Sequence, residues 1–210
     1  GGAYGSTYYA ETLTMSAFDE LSVVLCYRES SYGKCNVLTR SSASANSFTR
    51  GSSFTFSNSQ VAGGRPMSVT TLTDQRAIVC YVISSSEAGE CDLVVRASAS
   101  ATVLSSPIGP ETFASGQTHY VSMDALDAEL TLVCYSDTSN SGYGTCKRVW
   151  VDGDTIVVGD AVVAHPSSIT DTSVAGLDGT SALFCYDVTS PAGASCYPLQ
   201  VSPAPPSVPP

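Results

Sequence analysis

The sequence predicts an all-β protein of four tandem four-stranded antiparallel repeats, arranged as a β-propeller, with tandem β-sandwich modules as the alternative. Three observations carry that prediction. An apolar run ending in Cys-Tyr occurs four times, at Val24–Tyr27, Ile78–Tyr81, Leu132–Tyr135 and Leu183–Tyr186. Each run is followed, after a polar loop, by a second cysteine (Cys35, Cys91, Cys146 and Cys196), and the first cysteines, at 26, 80, 134 and 185, lie 54, 54 and 51 residues apart. No segment places apolar residues at i, i+3, i+4 and i+7 between helix caps, so the helical period is absent.

The third repeat has the clearest punctuation. His119–Leu126 alternates apolar and polar and reads as a strand, Asp127-Ala128-Glu129 as a turn, and Leu130–Tyr135 as a strand covered on both faces. Ser136–Gly144 is a polar loop. Thr145–Val151 is a third strand, Asp152-Gly153 a tight turn, and Thr155–Val163 a fourth strand. In the first repeat the strands fall at Leu13–Phe18, Ser22–Tyr27, Lys34–Thr39 and Phe48–Phe56. In the second they fall at Met67–Leu72, Ala77–Ile83, Glu90–Arg96 and Ala101–Ile108. The fourth has Thr172–Leu177, Ala182–Val188 and Ser195–Val201 and then stops. The repeats are thus 8–60, 61–115, 116–166 and 167–201, within one β domain at 1–201, and 202–210 is a Pro-rich extended tail. Before each second strand lies an acidic corner (Asp19, Asp74, Asp127, Asp178), where an aspartate bonding its own backbone explains the residue better than an ion site does.

The incomplete fourth repeat leaves a sheet edge that needs a partner. Gly1–Ala10 is one source of that strand, and strand addition from a neighbouring subunit is the other.

Eight cysteines in pairs separated by 9, 11, 12 and 11 residues argue for disulfides rather than zinc, since no CxxC occurs and the histidines are only His119 and His165. The repeat makes Cys26–Cys35, Cys80–Cys91, Cys134–Cys146 and Cys185–Cys196 the economical pairing. Disulfides imply an oxidising compartment, extracellular or at the cell surface. Gly1 reads as a processed start, and secretion is inferred from the cysteines.

Charged residues are 13% of the chain, so its polar surface is supplied by 34 Ser and 20 Thr, a composition suited to a secreted glycoprotein. A net charge of −10 with nine Lys plus Arg gives no footprint for nucleic-acid phosphates or anionic membranes. The apolar runs are too short for a helical membrane span, and no membrane insertion is expected. No Asn-Xaa-Ser/Thr sequon occurs, so attached sugars would be O-linked.

Candidate chemistry is sparse, and neither enzyme activity nor a cofactor is expected. Neither histidine sits in a nucleophile-elbow context. The close pairs Asp124/Asp127 and Asp152/Asp154 read as solvated turn acids. Asp152-Gly153-Asp154 opens like a calcium loop but lacks its closing Glu and flanking helices. Tyr27, Tyr81, Tyr135 and Tyr186 recur once per repeat. They read as tyrosines packing over their own disulfides, with an aromatic sugar-binding platform as the rival reading.

The tail, Ser-Pro-Ala-Pro-Pro-Ser-Val-Pro-Pro at 202–210, resembles the hydroxyproline-rich stretches of green-algal cell-wall and ciliary-surface glycoproteins. That resemblance implies hydroxylation and O-glycosylation at Pro203, Pro205, Pro206, Pro209 and Pro210. The repeats, with Cys-Tyr, a polar loop and Tyr-Gly-Xaa-Cys (Tyr32–Cys35, Tyr143–Cys146), are similar to tandem repeats of large extracellular proteins of algae and other protists. The second and fourth repeats depart from the pattern, at Ala88–Cys91 and Gly193–Cys196. The resemblance implies a structural subunit of an extracellular filament of the mastigoneme kind, or of a cell-surface matrix. It would assemble with itself or with other matrix glycoproteins through the open β edge or the tail. A lectin-like carbohydrate- or protein-binding propeller module is the alternative.

Overall fold

The computed structural model describes residues 11–57, 59–105, 109–189 and 192–202. The fold is all-β; the described residues contain one short 3₁₀ turn at Thr138–Asn140 and no α-helix. In the first unit, β1 (Glu11–Asp19), β2 (Ser22–Glu29) and β3 (Tyr32–Thr39) form an antiparallel meander, and β4 (Thr49–Arg50) and β5 (Phe54–Thr55) both pair with β3. The second unit repeats this with β6 (Ser68–Thr71), β7 (Arg76–Val82) and β8 (Gly89–Arg96), and β9 (Leu104–Ser105) and β10 (Glu111–Ala114) both pair with β8. The third has β11 (Thr118–Ala125), β12 (Leu130–Asp137), β13 (Tyr143–Asp152) and the first part of β14 (Thr155–Asp178). The rest of β14, with β15 (Ser181–Thr189) and the edge strand β16 (Ala192–Gln200), makes the fourth.

Two expectations about the strands are corrected. The fourth strands predicted at Phe48–Phe56 and Ala101–Ile108 are not continuous; each unit uses two short pieces instead. Each of these segments contains a Ser-Ser pair, and side chains take over part of the ladder's work, as where Asn36 Nδ2 donates to the Gly51 carbonyl at 3.0 Å. Conversely, the separate strands predicted at Thr155–Val163 and Thr172–Leu177 are parts of one 24-residue strand, which also takes in His165-Pro166 between them. β14 changes partner along its length, pairing with β13 up to Ser168 and with β15 from Ile169. Pro166 falls at a register shift beside that change, where its missing N–H costs the ladder nothing. The proposed N-terminal closing strand and the Pro-rich tail from 203 lie outside the described residues.

The cysteines pair as Cys26–Cys35, Cys80–Cys91, Cys134–Cys146 and Cys185–Cys196, each joining directly opposed residues of the second and third strands of a unit. Successive strand residues point to opposite faces, so the Tyr after each first cysteine cannot pack on its own disulfide. It packs on the disulfide of the preceding unit instead. Tyr81 shares a core cluster with Cys26 and Cys35, Tyr135 with Cys80 and Cys91, and Tyr186 with Cys134 and Cys146. The reading in which each Tyr covers its own bridge is therefore overturned by the pleat.

The same register explains the Gly two residues before the second cysteine. A Cβ on Gly33 would sit 2.1 Å from the Phe56 ring, and one on Gly89 would sit 2.2 Å from the Phe113 ring. Each Phe lies flush on that bare backbone and meets the next unit's tyrosine, Phe56 with Tyr81 at 5.1 Å and Phe113 with Tyr135 at 5.3 Å between centroids. In the third unit His165 takes the place of Phe, 4.5 Å from Tyr186.

The first strands of consecutive units lie side by side and are tied by side chains to backbone. Val69 N donates to Thr14 Oγ1 (3.2 Å), Thr71 N to Ser16 Oγ (3.1 Å), Met123 N to Ser68 Oγ (3.1 Å), Ala125 N to Thr70 Oγ1 (3.2 Å) and Gly176 N to Asp124 Oδ2 (2.9 Å). The acidic corners are turn chemistry. Asp19 accepts from Leu21 N, Asp127 from Glu129 N and Asp178 from Thr180 N, each at 2.8 Å. In the second unit Thr73 does this work, accepting from Gln75 N and Arg76 N, and Asp74 is one position too late.

Candidate functional site

The recurring tyrosines do not make a sugar platform. Tyr27, Tyr81, Tyr135 and Tyr186 are all buried between or within units. Their hydroxyls are committed to internal partners in three cases, to Asn36 Oδ1 for Tyr27 (2.9 Å), to Asp92 Oδ2 for Tyr81 (2.7 Å) and to His165 Nδ1 for Tyr186 (3.0 Å).

A cleft does open between the third and fourth units, beside the only tryptophan. Its cavity is about 170 Å³, and its walls are Leu132 of β12, Cys146 and Arg148 of β13, Asp160 and Val162 of β14, and Leu199–Ser202 at the end of β16. Alternation along β13 puts Cys146, Arg148 and Trp150 on one face. The ladder holds Lys147 opposite Ala161 and Val149 opposite Val158, so β14 carries one extra residue there, a bulge at Gly159-Asp160. Bulges re-aim side chains, and this one brings Asp160 to the cleft. Gly159 lets β14 approach the indole closely: a Cβ there would sit 3.3 Å from Trp150 Cζ3. The Arg148 guanidinium lies 5.9 Å from the Trp150 ring centroid and donates to the Ser202 carbonyl at 3.1 Å. Arg148 is thereby held between the two units.

The cleft's chemistry is that of a polyol site. Leu132, Val162 and Leu199 form an apolar wall. Arg148 supplies donors only, Asp160 acceptors only when ionised, and Gln200 both. Sugar hydroxyls donate and accept at once, and the C–H face of a pyranose needs an apolar wall. A larger cavity of about 420 Å³ between the first and second units is lined by Asp19, Ser22, Thr39, Arg40, Ser100 and Thr102, and neither cavity has an aromatic residue in its wall.

The other candidates are occupied structurally. Asp124 accepts from Ala125 N (2.9 Å) and Gly176 N (2.9 Å), and Asp127 from Leu130 N (2.8 Å). Asp154 pairs with Arg76 at 3.0 Å. Burial and the nearby Arg65 push the His119 imidazole below its ordinary pKa. Among the described residues no three His, Cys, Asp or Glu side chains come together as a metal cluster. The structure brings none of the candidate acids or histidines to the cleft. Arg148, Asp160 and Gln200 carried no sequence signal, since they lie on different strands and follow no repeat position; Trp150, as the lone tryptophan, was the one available marker.

No protein-family model matches the chain, and no curated protein sequence matches it. Solved structures do. The chain is similar to the Hadza microbial sialidase Hz136, with a TM-score of 0.54 and 8% identity over 90% of this chain and 44% of that one. It is also similar to a mutant of Aleuria aurantia lectin in complex with α-methyl-L-fucoside, with a TM-score of 0.49 and 13% identity over 91% of this chain and 61% of that one. Both neighbours are β-propeller folds. The chain spans less than two thirds of either neighbour's length, and at these identities the likeness is one of fold. The four disulfides fit a secreted protein, and no described helix is long and apolar enough to cross a membrane.

Proposed function

We propose that this chain is an extracellular carbohydrate-binding module built as an open arc of four propeller blades, with its sugar site in the cleft between the third and fourth blades. One observation carries the reading: Arg148, Asp160 and Gln200 line one cleft with an apolar wall, and Arg148 lies against the Trp150 ring. The propeller likeness supports the arrangement of the blades and says nothing of the ligand. A cavity of about 170 Å³ is below the ordinary 300–1,000 Å³ of drug-sized pockets, which suits one sugar residue rather than a long oligosaccharide.

A labelled chain applied to a glycan array tests this. Binding to a restricted set of terminal sugars, weakened tenfold or more by Arg148→Ala, is the expected result, since a charged hydrogen bond contributes about 1.5–3 kcal/mol. Binding that persists unchanged in both Arg148→Ala and Gln200→Ala would put the site elsewhere. No retained glycan at all would remove the sugar reading.

A further inference from the structure

The three internal interfaces share an apolar pattern, and the two end blades leave parts of it unmatched. Each interface has a forward face and a backward face. The forward face, on the earlier blade, carries the disulfide and the residue eight positions before its first cysteine. The backward face, on the later blade, carries the Tyr and the apolar residues of its first strand. Phe18, Leu72 and Leu126 hold the forward position in the first three blades and are 7%, 9% and 8% exposed. Leu177 holds it in the fourth and is 64% exposed. On the backward side Val69 and Met123, which pair with Val79 and Val133, are 5% and 6% exposed. Met15, which pairs with Leu25 in the same register, is 58% exposed, and Leu13 beside it is 56% exposed.

Polar ties from the position twelve residues before the cysteine are made at the first two interfaces; at the third, Ser122 Oγ has no hydrogen-bond partner among the described residues, and the tie runs from Gly176 N to Asp124 Oδ2 at 2.9 Å. Thr14 and Ser68, twelve residues before their cysteines, accept from the backbone N–H of Val69 and Met123. Ser173 occupies that position in the fourth blade and is exposed, and the repeat equivalent of Val69 and Met123 is Met15. Beside Ser173 and Cys185 lies a shallow depression of about 180 Å³, at the place where a following blade's tyrosine face packs in the internal interfaces. Cys196 is exposed, whereas Cys26, Cys35, Cys80, Cys91, Cys134 and Cys146 are buried.

We propose that copies of this chain join head to tail: the forward face of the fourth blade, centred on Leu177 and the Cys185–Cys196 bridge, seats the first strand of a second copy at Leu13 and Met15. The joint reproduces the first-strand part of the interface made within the chain, without the tyrosine, since Tyr27 and Leu25 are already buried in the first blade. In it Ser173 Oγ accepts from the N–H of Met15 of the second copy, and Leu177 packs against Leu13 and Met15 as Leu72 packs in one cluster with Val121 and Met123. Tyr27 and Leu25 are only 7% and 4% exposed, so Leu13 and Met15, more than half exposed, are the open part of this face. Because the two faces differ, the contact is heterologous, and repetition gives either a ring or a filament.

The architecture makes a specific demand on mixtures. Leu177→Asp disables one face and Met15→Asp the other, and both sites are exposed enough for the variants to fold. Far-ultraviolet circular dichroism and the count of free thiols check that they do. In sedimentation velocity the unaltered chain is expected to form concentration-dependent oligomers. Each variant alone is expected to stay monomeric, because one face of every possible joint is spoiled. An equimolar mixture of the two is expected to form dimers and nothing larger, through the one intact face on each. A monomeric unaltered chain at every concentration overturns the proposal. So do oligomers that survive in either single variant, which would point to edge-to-edge pairing through β16, and so does a mixture that stays monomeric.

Discussion

The Tyr81 hydroxyl donates to the carboxylate of Asp92 at 2.7 Å, and Asp92 is wholly buried between the first two units. Its other oxygen has no hydrogen-bond partner among the described residues. Burial, with the nearby Glu90 adding to it, pushes the Asp92 carboxyl up to about 6, against the pull of the Tyr81 bond. A carboxyl whose folded pKa is raised binds its proton more tightly in the folded state. Its cost to stability is therefore full above about pH 6 and disappears as pH falls to about 4. Asn36 stands at the equivalent place in the first repeat and accepts from Tyr27 at 2.9 Å, so an amide serves this geometry. Asp92→Asn is expected to stabilise the chain at pH 7.5 by about 1–3 kcal/mol and to flatten the stability gain between pH 7 and 5. Urea unfolding at several pH values checks both.

Gly89, two residues before Cys91, and Gly193, near the start of the edge strand β16, offer a contrast of sites. Gly89→Ala would drive a methyl group into the Phe113 ring and is expected to cost about 1–3 kcal/mol through forced repacking. Gly193→Ala meets nothing within 4 Å and is expected to be near neutral. Thermal melts of the two variants make the comparison.

Arg96 locks the first interface. Its side chain is fully buried, lies 4.3 Å from the Phe18 ring, and donates to Asp19 Oδ2 at 2.7 Å, to Ser22 Oγ at 2.9 Å and to the Asp74 carbonyl. Arg96→Ala is expected to destabilise the fold by about 3–5 kcal/mol, the usual result of removing one buried partner. Burial raises the Asp19 carboxyl, but bonds from Ser22, Arg96 and the Leu21 N–H outweigh it and hold it down at about 2. This contribution is complete above about pH 4 and is lost as pH falls toward 2. Arg96→Ala should therefore remove part of the acid sensitivity of unfolding below pH 4, which a pH series of the same variant measures.

The bridges should differ in reducibility. Cys196 is exposed, while the cysteines of the first three bridges are buried. Mild dithiothreitol followed by alkylation and peptide mapping is expected to label Cys185 and Cys196 well before any other pair.

Those features of the fold that depend on a repeated local pattern were legible in the sequence. The Cys-Tyr strands, the Asx corners at Asp19, Asp127 and Asp178, and the all-β class follow from spacing and turn chemistry. Other features depend on contacts between repeats, which spacing alone does not reveal. The role of Gly33 under Phe56 needed the packed sheet, and so did the assignment of each tyrosine to the preceding disulfide. β14 read as two strands because its middle, around His165-Pro166, looks like a loop and is held in a strand only by successive partners. The cleft was the least legible element. It joins Arg148, Asp160 and Gln200 across two units, and a bulge of one residue decides where Asp160 lies.

Trp150 is the only tryptophan in the chain, and the Arg148 guanidinium of the cleft lies 5.9 Å from its ring centroid, so its emission reports on changes at Arg148. Titration of the intact chain with methyl α-L-fucoside, D-galactose, D-mannose and N-acetylneuraminic acid, followed by tryptophan fluorescence, is the most direct test of the sugar site. A saturable change with at least one of these sugars, absent in Arg148→Ala, is the predicted result. Emission that stays constant with all four would contradict a sugar bound at Arg148.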